Sequence, residues 1–133
     1  MQSKPTLIAL DGDEAVLRTI ARAAAPYYQA LVTRDARRFI AWLENTPGVA
    51  AILTEHVLQN ASGVALLQSA RTMRPKARRV LLTTYHDLAS IVDGLHSGAI
   101  EHLVQKPFTP AELLQAIIPS HAQSDTHDHR ASA

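Results

Sequence analysis

The chain has 133 residues, with thirteen Lys and Arg against twelve Asp and Glu, a net charge of +1, seven histidines and no cysteine. That length fits one domain able to bury about two thirds of the surface its unfolded form exposes. The balanced charge gives no general attraction to nucleic acid or to an anionic membrane, and the missing thiols exclude disulfides, thiolate catalysis and thiolate metal sites together.

In chain order, Met1-Gln2-Ser3-Lys4-Pro5 leads straight into an apolar run, without the long h-region of a leader. No stretch approaches the roughly 18 apolar residues of a membrane span, so a soluble, cytoplasmic protein with no membrane partner is expected. Short apolar runs then alternate with longer amphipathic stretches. The expected strands are Thr6 to Leu10, Ala30 to Thr33, Val49 to Thr54, Arg79 to Thr83 and Leu103 to Gln105. Most are apolar throughout, as a parallel sheet covered on both faces requires.

The helices between them carry start signals. Asp13 opens the first, with Val16, Leu17, Ile20 and Ala24 inward and Pro26 near its end; Asp35 caps the second, with Ala36, Phe39, Ile40 and Leu43 inward. Ser62-Gly63 precedes the third, Val64 to Met73, which Pro75 stops. Asp87 caps the fourth, with Leu88, Ile91, Val92 and Leu95 expected to face the core. Thr109-Pro110-Ala111-Glu112 joins a capping box to proline at the first helical position, with Leu113, Leu114, Ile117 and Ile118 on one face.

Arg71, Arg74, Lys76, Arg78 and Arg79 form a basic cluster that reads as a solvated loop. Trp42 falls off the buried stripe of its helix, where it is a candidate partner anchor. After Pro119 the periodicity fails. One domain over residues 1–120 is expected, with 121–133 a disordered polar tail whose His127-Asp128-His129 is at most a weak metal binder.

Strand ends carry the chemistry of open α/β folds. Asp11 follows the first strand, Glu55 the third and Thr83 the fourth, while Lys106-Pro107 follows the fifth; right-handed crossovers bring these ends to one edge. The segments Leu10-Asp11-Gly12-Asp13-Glu14, Ile52-Leu53-Thr54-Glu55 with Gly63 eight residues on, Leu81-Leu82-Thr83-Thr84, Gly98-Ala99 and Lys106-Pro107-Phe108 occur together and in order. Over residues 6 to 119 the chain resembles the receiver domain of two-component response regulators, the CheY-like superfamily. The resemblance implies a flavodoxin-like (βα)5 fold, a doubly wound five-stranded parallel sheet in the order 2-1-3-4-5.

It also implies a phosphoacceptor aspartate where this chain has Glu55, two Mg²⁺-binding acids after the first strand, a hydroxyl at Thr83 and a lysine at Lys106. Asp11 matches the first acid, and Gly12 stands in the place of the second. Glu55 carries its carboxylate outward by about one C–C bond, roughly 1.5 Å, in a reaction that depends on positioning and on metal. The expectation is an atypical receiver or pseudo-receiver, not an enzyme, with Glu55 as the phosphoacceptor equivalent and Asp11, Thr83 and Lys106 as its pocket. No cofactor is expected; Mg²⁺ is weakened by Gly12, leaving Asp11 and Asp13 as weak candidates, since Asp13 also serves to open a helix.

Glu55 then either imitates part of a phosphoryl group or forms an ion pair with Lys106 that only orders the loops. The aromatic position of the family on the fifth strand is Leu103 here, and His102 replaces it only if the strand register shifts by one. The expected partner is a protein, bound through the fourth helix, fifth strand and fifth helix by His96, Glu101, His102, Leu103, Ala111 and Gln115, with a homodimer open and no direct nucleic-acid contact. A functional phosphoacceptor in an Mg²⁺-dependent phosphorelay is the alternative reading. A small-molecule-binding flavodoxin-like domain is the third.

Overall fold

Each strand of the chain sends alternate side chains to opposite faces of one sheet, and both faces are closed by helices. The structure, a computed structural model, describes residues 4–84 and 87–118. The expected tail, its boundary at residue 120 and the His127-Asp128-His129 cluster lie outside the described residues. In chain order the elements are β1 (Thr6–Leu10), α1 (Glu14–Ala24), β2 (Gln29–Thr33), α2 (Ala36–Asn45), β3 (Val49–Glu55), α3 (Gly63–Met73), β4 (Arg78–Thr83), α4 (Leu88–Ser97), β5 (His102–Gln105) and α5 (Pro110–Ile117). The strands form one parallel sheet in the order β2-β1-β3-β4-β5.

The alternation divides the core in two. Leu7 and Ala9 of β1, Ala51 and Leu53 of β3, and Val80 and Leu82 of β4 pack with Leu17 and Ile20 of α1 and Leu113 and Ile117 of α5. Ile8, Leu10, Ile52 and Leu81 face the other way, onto Phe39 and Leu43 of α2, Leu67 and Ala70 of α3, and Ile91 of α4. Each fully buried leucine or phenylalanine contributes about 2 kcal/mol by removing apolar surface from water. All five residues of β1 are buried because both layers press on the strand between β2 and β3.

The caps form as their sequence signals require. Asp13 accepts from the Ala15 N–H, Asp35 from Arg37 and Ser62 from Ala65, while Thr109 and Glu112 close a reciprocal capping box. Asp87 caps α4 by accepting from Ser90, from a left-handed backbone at φ 58. Such a backbone is tolerated by aspartate better than by most residues.

Three expectations are corrected by the packing. Leu88, Val92 and Leu95 do not face the core: they are 59%, 46% and 40% exposed, while Ile91 and Gly94 take the inward positions of α4. A Cβ at residue 94 would meet Ile100 Cδ1 at 2.6 Å, so this face of α4 lies too close to its neighbours for a larger side chain. The arginine cluster is not a solvated loop. Arg79 is buried, Arg74 donates to the carbonyls of Leu43 and Thr46, and Arg71 donates to the Ser97 carbonyl. Trp42 is partly buried against the α2-α3-α4 core rather than off its stripe.

Candidate functional site

The carboxyl ends of β1, β3, β4 and β5 place Asp11, Glu55, Thr83 and Lys106 together. Asp11 is fully buried, and its backbone N–H continues the sheet by donating to the Thr33 carbonyl at 3.2 Å. Glu55 ends β3 beside Leu82 of β4, and the Lys106 N–H donates to the Thr83 carbonyl at 2.8 Å, fixing the β5 end against β4. The Lys106-Pro107 peptide is cis.

One ammonium joins two acids. Lys106 Nζ lies 2.6 Å from Asp11 Oδ2 and 3.0 Å from Glu55 Oε2. The second Glu55 oxygen, Oε1, accepts from the Gly12 N–H at 2.5 Å, and Asp11 Oδ1 accepts from the Asp13 N–H at 2.9 Å. Burial pushes the Asp11 carboxyl above its ordinary pKa, opposed by the hydrogen bonds from Lys106 and Asp13. Burial by itself would lower the Lys106 pKa, but its bonds to Asp11 and Glu55 outweigh this and raise it, so the ammonium is held charged.

Close approach at the Glu55 end needs glycine. The Gly63 N–H donates to the His56 carbonyl at 2.8 Å, and a Cβ on residue 63 would fall 2.1 Å from the Glu55 carbonyl oxygen. Gly63 thus allows the first turn of α3 to sit directly on the β3 end. The His56 side chain that follows β3 is 5% exposed, with Nε2 3.5 Å from Asp87 Oδ2. Sequence reasoning passes over this histidine, since nothing local shows that its ring turns inward toward the α4 cap. A cavity of about 110 Å³ beside the acid-lysine cluster is lined by Glu55, His56, Leu82, Thr83, Thr84 and Lys106.

The donors present do not fit a resident divalent cation. Mg²⁺ takes near-octahedral oxygens at about 2.1 Å, whereas both carboxylates at this edge face the Lys106 ammonium. Asp13 is occupied as the α1 cap, and Glu14 lies 3.8 Å from Arg34. Among the described residues no group of three or more His, Cys, Asp or Glu side chains is arranged to hold a metal.

On the α4-β5-α5 side, His96, Glu101, Ala111 and Gln115 are exposed, and His102 and Leu103 are half-buried. The register pairs Leu81 with Leu103 and Val80 with His102. Leu103 packs into the core beneath α4, so by alternation His102 turns to the opposite face and cannot replace an aromatic residue at 103. No described helix is long and apolar enough to cross a membrane.

The family model of the response regulator receiver domain matches residues 7–118. The acid tolerance regulatory protein ActR of Rhizobium meliloti is 29% identical over 114 residues, covering 85% of this chain and 58% of its own. The hydrogenase transcriptional regulatory protein HoxA of Cupriavidus necator is 25% identical over 126 residues, covering 92% of this chain and 26% of its own. The chain therefore spans about half or less of the length of these curated relatives. Among solved structures, the signal receiver domain of an HD domain-containing protein from Pseudomonas fluorescens Pf-5 superposes with a TM-score of 0.78 at 25% identity, covering 100% of this chain and 96% of that one. A CheY-like receiver domain protein from Methanospirillum hungatei JF-1 does so with a TM-score of 0.78 at 20% identity, over 98% and 100% of the two chains. With sheet order and family match in agreement, this chain belongs to the response regulator receiver domain family of two-component signalling.

Proposed function

We propose that this receiver domain works as a phosphorylation-independent protein-interaction module, with Glu55 standing permanently where the family carries its phosphoacceptor. The observation that carries this reading is the double engagement of the Glu55 carboxylate, one oxygen on the Gly12 N–H and the other on Lys106. A carboxylate so engaged is not free as a nucleophile. It imitates a phosphoryl group only in part, with one charge and two oxygens against about −1.5 to −2 and three. No cofactor is part of this reading.

The partner face is the one formed by α4, β5 and α5. Its support is the exposed Leu88, Val92 and Leu95, which recur at helical spacing beside His96 and Glu101. Apolar side chains grouped on one outward helix stripe mark contact surfaces more often than singly scattered ones do. The occupant is a protein, and a second copy of the chain is one such occupant; sedimentation across a concentration series reads that case.

Incubation with Mg²⁺ and acetyl phosphate, or with beryllofluoride, tests the central claim. The expected result is no stoichiometric modification and no metal-dependent spectral change at Glu55. Stoichiometric label that disappears in Glu55→Gln would overturn it in favour of a working phosphoacceptor, the reading supported by the retained Thr83 and Lys106 beside a cavity of about 110 Å³.

A further inference from the structure

Glycine at position 12 has no backbone reason to be there. The described glycines with positive φ are Gly48 and Gly98, and Gly12 is not among them, so an L side chain fits its conformation. A Cβ there is also hindered by one atom alone. Apart from its chain neighbours, the one heavy atom within 4 Å of a Cβ built on residue 12 is Glu55 Oε1, at 3.1 Å. That same oxygen accepts the Gly12 N–H at 2.5 Å across 43 positions of sequence.

We propose that Gly12 and Glu55 are one functional unit, in which the bare glycine lets the glutamate clasp the β1-α1 turn while the Lys106 ammonium serves as the internal cation of the site. A Cβ at 12 would crowd Oε1 at 3.1 Å, so the oxygen must give by a few tenths of an ångström from its place on the N–H. A carboxylate at 12 would in addition set a third acid against one ammonium, beside Asp11 and Glu55. Shortening Glu55 to aspartate withdraws the carboxylate from the turn but leaves position 12 without a metal ligand. Divalent-cation binding therefore returns only when both positions change. The proposal makes Gly12 a positioning residue and deepens the reading of Glu55 as a fixed occupant of the site, on which it rests.

The test uses the whole chain and two readouts. Urea unfolding of wild type, Gly12→Ala, Glu55→Asp and the double variant gives a coupling cycle that needs no metal. Gly12→Ala is expected to raise the unfolding constant about fivefold in wild type and less than about twofold beside Glu55→Asp, a coupling within the range for residues in contact. The Gly12 amide proton is expected well downfield in wild type and shifted upfield in Glu55→Ala, a change that a purely structural Glu55 remote from the turn would not produce.

Mg²⁺ titration by calorimetry of wild type, Gly12→Asp, Glu55→Asp and Gly12→Asp/Glu55→Asp completes the test. The double variant is expected to bind at least about tenfold tighter than either single variant, a difference of about 1.4 kcal/mol. Equal Mg²⁺ affinity in a single variant and the double, or an additive unfolding cycle, overturns the clasp. Acetyl phosphate labelling of wild type fails separately: it would defeat the phosphorylation-independent reading even with the coupling intact, and absent coupling with no label would defeat the clasp alone.

Discussion

Lys106 Nζ stands 2.6 Å from Oδ2 of Asp11, a carboxylate with no exposed side-chain surface. Lys106 itself keeps 17% of its side-chain surface exposed and reaches Glu55 on its other side. Removing the ammonium would leave Asp11 buried without its cation and facing a second acid. Breaking a buried pair from one side costs about 3 to 5 kcal/mol. For Lys106→Met, with the lysine partly solvated, the expected loss is about 3 kcal/mol at neutral pH by urea unfolding. The sign of the pH dependence follows from the raised lysine pKa: this stabilisation is complete below the unfolded value of 10.5 and lost as pH rises through the higher folded value. A loss in Lys106→Met too small to measure would mean that Asp11 finds another partner.

Gly63→Ala is expected to disturb the same site from beneath. Its new Cβ would lie 2.1 Å from the Glu55 carbonyl oxygen and 2.8 Å from the Glu55 carbonyl carbon and from His56 Cα, all of them backbone atoms. No rotamer relieves a clash with backbone, so α3 must move away from the β3 end. Overpacking of this kind costs about 1 to 3 kcal/mol, and the upper part of that range is expected here. Thermal unfolding measures it, and shifted amide resonances at Glu55 and Gly12 locate it. Unchanged stability would show that the β3-α3 connection is more yielding than its contacts indicate.

His102 predicts a pH effect of opposite sense to that of Lys106. Burial lowers its pKa from 6.5, the nearby Arg78 charge lowers it further, and Glu101 pulls the other way. A histidine whose folded pKa is depressed contributes stability that is present above the unfolded value and lost as pH falls through the folded one. Acidification from pH 7 through 6.5 and below should therefore destabilise wild type relative to His102→Gln. The measurement is the difference between the two unfolding curves across that window. A flat difference would remove His102 as the cause.

Much of this was legible from local signals because local physics decides it. The run Val49 to Leu53 and the Thr109-Glu112 capping box form where residue type alone places them, and Asp11, Glu55, Thr83 and Lys106 meet because parallel crossovers leave few alternatives. The side of α4 that faces inward was not legible. Leu88, Val92 and Leu95 read as a core stripe, whereas Ile91 and Gly94 take the inward positions and Gly94 lies close against Ile100 and Val64. The Gly12-Glu55 hydrogen bond spans 43 positions, and a glycine does not show in sequence which side chain needs its space.

Arg79 is the largest departure from the sequence reading. As one of five basic residues in nine positions it looks solvated, yet it is 5% exposed inside β4. Its guanidinium donates to the carbonyls of Ala99 at 3.2 Å, Ala77 at 3.1 Å and Gly98 at 3.1 Å, with Glu101 Oε1 3.7 Å away. One planar fork thus ties the β4 start to the α4-β5 turn, where Gly98 takes φ 85. Arg79→Met keeps much of the buried volume but leaves these carbonyls without their donor, at about 1 to 3 kcal/mol for each group left unsatisfied in the interior. Some carbonyls regain water, so a total loss of about 3 kcal/mol is expected by urea unfolding. Arg79→Lys should recover little of it, because a single ammonium cannot reach three carbonyls in different directions. Wild-type stability in Arg79→Lys would show that positive charge, not the fork, holds the turn.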